Sequence, residues 1–215
     1  MELLNLSTGN IKLKPTDNSK FLIWNIPSMT TCPNSTPECR KNCYARKSEI
    51  RFPKALQSRI LNKIESEEPY FIERMIHSIY AYANKKSWQN KTIYFRIHES
   101  GDFYSQEYFN KWVDIASYFN ELEYSSIDIV FLAYTKSFDF VLNRYGAIPD
   151  NLIIRASIWE DTSESDLELI KALNLPYFTA LPKDADFTGI YKCPGDCGTC
   201  KKCYSYYKDI AVQIH

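Results

Sequence analysis

Short apolar runs recur along this chain with helical segments between them. FLIWNI (Phe21–Ile26), TIYFRIH (Thr92–His98), IDIVFLAY (Ile127–Tyr134), LIIRAS (Leu152–Ser157) and YFTAL (Tyr177–Leu181) read as strands, and DIAVQIH (Asp209–His215) as a last one. Near-continuous apolar strands belong in a parallel sheet covered by helices. The segments between them supply those helices. Pro53–Glu65 opens on proline and puts Leu56, Ile60 and Ile64 on one face. Pro69–Asn84 repeats Phe71, Met75, Ile79 and Ala83 at four-residue spacing. Ser105–Asn120 starts at a capping serine, Ser137–Tyr145 is closed by Gly146, and Ser163–Leu173 carries a loose Ser163–Asp166 capping signature. The expected fold is therefore α/β, a partial (β/α)6 barrel-like parallel sheet with helices outside; an open doubly wound sheet is the alternative. A chain of 215 residues forms one such domain, over residues 1–215. In either architecture, functional residues gather at the C-terminal ends of the strands.

Seven cysteines fall in two groups. Cys32, Cys39 and Cys43 follow the first strand in TCPNSTPECRKNCYARK, and Cys193, Cys197, Cys200 and Cys203 follow the fifth in KCPGDCGTCKKCYSYY. Residues 44–192 contain none. Structural cysteines scatter through a core like other small apolar residues; thiols clustered beside Pro, Gly, Asp and Lys read as metal ligands held in loops. The second group, C-x3-C-x2-C-x2-C, is compact enough to wrap an iron–sulfur cluster, whereas zinc sites more often use two separated knuckles. The first group, C-x6-C-x3-C, supplies three ligands, so a [4Fe-4S] cluster bound there keeps one iron open. Zinc is the alternative metal, with His98 the most accessible of the three histidines (His77, His98, His215) to complete a three-cysteine site.

Lysine plus arginine and aspartate plus glutamate both number 26, so no global charge favours nucleic acid or anionic lipid. No apolar run approaches the roughly 20 residues of a membrane span, and no signal-peptide pattern opens the chain. A cytoplasmic protein is expected, in which disulfides are rare.

Three stretches, CPNSTPECRKNCYARK, FRIHESGDFYSQEYFNKW and CPGDCGTCKKCY, resemble the gene product 88-like proteins of phages and mobile elements. The first also resembles the cysteine loop of radical S-adenosylmethionine (SAM) proteins, in which three cysteines after the first barrel strand hold a [4Fe-4S] cluster. That resemblance implies SAM as a second cofactor, two clusters divided three and four, and an electron donor such as ferredoxin or flavodoxin. It places Tyr44, next to Cys43, at the cluster. It also gives Glu99 the work of gripping an ammonium group, in the position of a Gly-Gly-Glu stretch that this chain lacks. The gaps here are six and three residues, where that superfamily has three and two.

Other rim candidates come from the residues themselves. Arg96 and Arg155, charged within apolar strands, require a partner or a ligand. The His98–Asp102 segment includes Gly101, which permits close backbone approach, and brings His98, Glu99 and Asp102 to the same strand end. Arg40–Arg59 holds seven basic residues and one acidic one, Glu49, which reads either as an anion site or as a solvated helix face. Tyr204, Tyr206 and Tyr207 are placed to shield the second group from water. Catalytic residues and the substrate are not assigned. The competing functions are a radical-SAM-like enzyme, a non-catalytic iron–sulfur redox or sensor protein, and a zinc-stabilised binding module that touches nucleic acid through Arg40–Arg59; the neutral overall charge disfavours the last.

Overall fold

The computed structural model describes residues 2–121, 127–206 and 209–214. Tyr207 and His215 lie outside these residues. Seven parallel strands form one curled half-barrel sheet in the order β1-β2-β3-β4-β5-β7-β6. They are β1 (Ser19–Trp24), β2 (Thr92–Ile97), β3 (Ile129–Thr135), β4 (Leu152–Ile158), β5 (Tyr177–Leu181), β6 (Tyr191–Lys192) and β7 (Ile210–Gln213). The α/β partial-barrel expectation is met, with one strand more than the apolar runs revealed. The second cysteine group follows β6, not the fifth strand. With only two residues, β6 is too short to show a hydrophobic period.

Eight helices connect the described strands: α1 (Pro37–Lys41), α2 (Tyr44–Arg51), α3 (Pro53–Glu67), α4 (Phe71–Ala83), α5 (Gln106–Asn120), α6 (Phe138–Leu142), α7 (Glu164–Ala172) and α8 (Cys197–Cys200). Alternation along each strand divides the sheet's two faces. Leu22, Trp24, Ile93, Phe95, Ile97, Phe131 and Ile154 point to the helical side, where they join Phe71, Met75, Ile79, Phe109, Trp112 and Val113 in the main core. Phe21, Ile23, Leu132 and Ile153 point to the inner face. A smaller core there is completed by Leu13 and by Tyr204 from the second cysteine loop. That loop therefore lies across the open inner face of the half-barrel.

Helix α3 keeps Leu56, Ile60 and Ile64 on one face but turns that face outward. Its buried residues are Asn62 and Ser66, while Ile60 and Ile64 face solvent. Among the described residues, no helix is long and apolar enough to cross a membrane.

Candidate functional site

The first cysteine loop leaves β1 and folds back onto the loop after β2. Asn25 Oδ1 accepts hydrogen bonds from the backbone N–H groups of Glu99 and Ser100, and Ile26 N donates to Ser100 O. Gly101 permits this closeness. Its φ is +87°, and a Cβ there would stand 2.4 Å from Ile26 Cγ1 and 2.7 Å from Thr31 Oγ1. His98, at φ +62°, also sits in the left-handed region, a strained conformation for a residue with a Cβ.

Within the loop, Thr36 caps α1 by accepting from Cys39 N. Cys43 caps α2, its Sγ accepting from Arg46 N at 3.4 Å. The Cys43 sulfur thus sits at the N-terminal, positive end of an eight-residue helix. Behind α2, Glu49 joins four segments. Its carboxylate accepts from Ser28 N and Oγ, Ser100 Oγ and Arg59 Nη1. Burial opposes its charge, yet the Ser28, Arg59 and Ser100 hydrogen bonds hold it below the usual carboxylate range. The one acidic residue of the basic run is thereby buried and paired.

The second loop begins with Cys193 N donating to Ala211 O. Asp196 caps α8, and Cys197 N and Gly198 N both donate to Lys12 O. Gly198 is needed for this contact, because a Cβ would stand 2.5 Å from Lys14 O. The Cys200 thiol lies 3.6 Å from the Tyr191 hydroxyl. Arg155, fully buried on β4, donates to the carbonyl oxygens of Lys202, Cys203, Ser205 and Tyr177.

All seven cysteines are free thiols, and all seven line one cavity of about 660 Å³ at the C-terminal rim. Burial pushes the Cys32 thiol up to about 12, with the nearby charges of Asp102, Cys39 and Cys43 adding to the effect. Burial likewise raises Cys39, against the pull of Lys136. In the second loop, burial pushes Cys197 up to about 11 while Arg96 opposes it, and burial raises Cys203 against Tyr134, Arg155 and Arg96. Cys32, Cys39 and Cys43 thus act electrostatically on one another, as do Cys193, Cys197 and Cys203, with Arg96 beside the second set. Among the described residues, no three Cys, His, Asp or Glu side chains are drawn together into a ready-made ion site.

Tyr44, Arg96, His98, Glu99 and Asp102 also border the cavity; Arg155 does not. The Arg96 guanidinium lies 3.8 Å from the Tyr134 ring centroid, its Nε donates to His98 O, and it forms no ion pair among the described residues. Both Glu99 carboxylate oxygens accept from Asn10 Nδ2, at 2.7 and 2.9 Å, and the Tyr44 hydroxyl donates to Glu99 O. The Asp102 carboxylate accepts from Thr135 Oγ1, Phe103 N and Lys136 N, though burial still raises it.

The His98 ring turns into the main core, where Nε2 meets the Tyr108 hydroxyl at 2.8 Å. Burial and the Arg96 charge push this imidazole down to about 3, so it is neutral. His77 is exposed on α4, away from the cavity. Of the tyrosines beside the second group, Tyr204 is buried against Phe21 and Tyr94, whereas Tyr206 is exposed. Lys12, Lys47, Lys136, Lys192, Lys201 and Lys202 join Arg96 on the cavity wall, against the carboxylates of Glu99, Asp102 and Asp196. Asn10 and Asn25 were not singled out from the sequence. The polar Asn25, set between Trp24 and Ile26 in the otherwise apolar FLIWNI run, is the signal the sequence offers.

The fold and site define a class: a curled parallel half-barrel with a cationic, cysteine-lined cavity on its C-terminal rim. Within that class the chain belongs to the gene product 88 family, whose model matches residues 4–179. The matched span takes in Cys32, Cys39, Cys43 and the His98–Asp102 segment and ends before the second cysteine loop. No curated protein and no solved structure matches the chain.

Proposed function

We propose that this protein is an iron–sulfur protein of radical-SAM type. In this reading Cys32, Cys39 and Cys43 hold a [4Fe-4S] cluster with one open iron, and Cys193, Cys197, Cys200 and Cys203 hold an auxiliary cluster. The observation that carries it is the convergence of all seven thiols, 150 residues apart at their nearest in sequence, on one rim cavity (193 − 43 = 150). The donor set fits. Thiolate-bound clusters are anionic, and the wall carries more cations than carboxylates. Buried thiols with raised pKa values exchange their protons for a metal on loading.

When bound, such a cluster supplies one-electron chemistry toward SAM at its open iron. The chain's own residues have separate tasks. Arg96 offsets negative charge beside Cys197 and Cys203. Tyr134 and Tyr204 cover the second set from solvent. Glu99, oriented by Asn10, presents the anionic group for an ammonium. The electron comes from a ferredoxin- or flavodoxin-like donor.

Anaerobic purification with iron and sulfide analysis tests the reading, with about eight irons expected per chain for two [4Fe-4S] clusters. A colourless, zinc-loaded protein overturns it. Adding SAM to the reduced protein should change the electron paramagnetic resonance signal and yield 5′-deoxyadenosine. An iron-loaded protein that does neither is a redox or sensor protein instead.

A further inference from the structure

Helix α3 turns the usual amphipathic arrangement outward. Asn62 donates to Asn25 O, Ser66 pairs with the Tyr104 hydroxyl, and Arg59 pairs with Glu49, so polar groups fasten this helix to the body. The opposite face carries Leu56, Ile60 and Ile64 at four-residue spacing, a stripe of about 12 Å that Phe52 extends from the N-cap. Phe52 is 54% exposed, Ile60 44%, Ile64 51% and the flanking Leu61 56%. Burying apolar area of this kind is worth about 25 cal/mol per Å², and contiguous exposed apolar surface marks an interaction site.

The charges at the two ends of the stripe identify its partner. Lys54 stands six residues before Ile60 and Glu68 eight residues after it; both are exposed and neither has an ion pair among the described residues. At 100° per residue they fall on the same flank of the helix axis. An antiparallel copy of α3, related by a two-fold axis through Ile60, sets Leu56 against Ile64 and brings each Lys54 beside the other copy's Glu68. The surface is therefore self-complementary in both apolar pattern and charge, as an isologous contact requires. An anionic bilayer would meet Arg51 and Lys54 favourably but be repelled by Glu68 at the other end, where Glu67 is already paired with Lys63.

We infer that α3 is the contact of a two-fold homodimer, with Ile60 on the axis and a reciprocal Lys54–Glu68 pair on each side. A stripe this narrow gives a weak dimer, with a dissociation constant on the order of micromolar.

Sedimentation equilibrium of the full chain under anaerobic reducing conditions, which excludes intermolecular disulfides, tests the inference. The expected result is a reversible monomer–dimer equilibrium. Ile60→Glu, confirmed folded by circular dichroism, should weaken it about a hundredfold. Lys54→Glu should weaken it, and Lys54→Glu with Glu68→Lys should restore it. A monomer at every concentration overturns the inference, as does a dimer indifferent to Ile60→Glu or a double variant that stays weak. Flotation with phosphatidylserine vesicles that is lost in Ile60→Glu, with no dimer in solution, would assign the stripe to a membrane surface instead.

Discussion

Arg155 Nε donates to the carbonyl oxygen of Cys203 at 3.0 Å, joining the centre of the sheet to the last cysteine of the second cysteine loop across 48 residues of sequence. The same guanidinium serves Lys202 and Ser205, so one buried side chain sets the path of the loop's end. A rigid fork with five donors suits such a task; an ammonium does not.

Arg155→Lys should accordingly detach the loop while leaving the sheet paired. Loss of several buried charge-assisted hydrogen bonds predicts a drop of about 2–4 kcal/mol in urea unfolding. Limited proteolysis should then cut within residues 193–206 of the folded protein. Resistance equal to wild type would show that the clamp is dispensable.

The His98 imidazole gives stability a dependence on acid. Its folded pKa, pushed down to about 3, lies below the ordinary 6.5, so the unfolded chain binds a proton that the native state refuses. Stability contributed by the neutral ring is present above pH 6.5 and lost as pH falls toward 3, by at most about 1.4 kcal/mol per unit. Burial raises Asp102, which acts in the opposite direction at low pH. Comparing denaturation curves of wild type and His98→Gln from pH 7.5 to 4.5 isolates the imidazole, and the variant should have the flatter profile.

Two glycines hold the loops by allowing backbone contact. Gly101→Ala places a methyl group into Ile26 and Thr31 at a φ of +87°, with an expected cost of about 2–3 kcal/mol and a lower melting temperature. Gly198→Ala meets Lys14 O instead, and should loosen the second loop more than it lowers the global melt. Amide hydrogen exchange at residues 193–203 distinguishes the two effects.

Replacing Cys43 by Ala should remove one cluster and leave the other, halving iron and sulfide per chain; Cys203→Ala should do the same for the second set. Loss of all iron in either variant would mean that the seven thiols serve a single interdependent centre.

Apolar runs long enough to show a period were legible in the sequence, and five of the six strands read from them begin and end within two residues of those observed. The sixth, Asp209–His215, extends onto His215, outside the described residues, and Ile210–Gln213 is its observed strand. The helices α1 and α2 were not legible, because Pro37 and the sulfur cap at Cys43 start them inside what composition presents as loop. Periodicity located α3 and its stripe of Leu56, Ile60 and Ile64 but carried no information about which face turns inward. That choice depends on Glu49, Asn25 and Tyr104, whose contacts with the helix are tertiary. Of the site, the thiols and Gly101 could be found by residue type and spacing. The Arg155 clamp and the inward turn of His98 could not, since each depends on which face of a strand or turn the chain presents.

The strand order has a consequence for assembly. β6 precedes β7 in the chain, yet among the described residues its ladder is to β7 alone. Residues 191–192 thus have no partner strand until Ile210–Gln213 is present. Cys32, Cys39 and Cys43 rest on β1 and β2, which pair with each other well before that in sequence. The two thiol sets should therefore settle in order, the first on strands that lie early in the chain and the second only once the last strand described is in place.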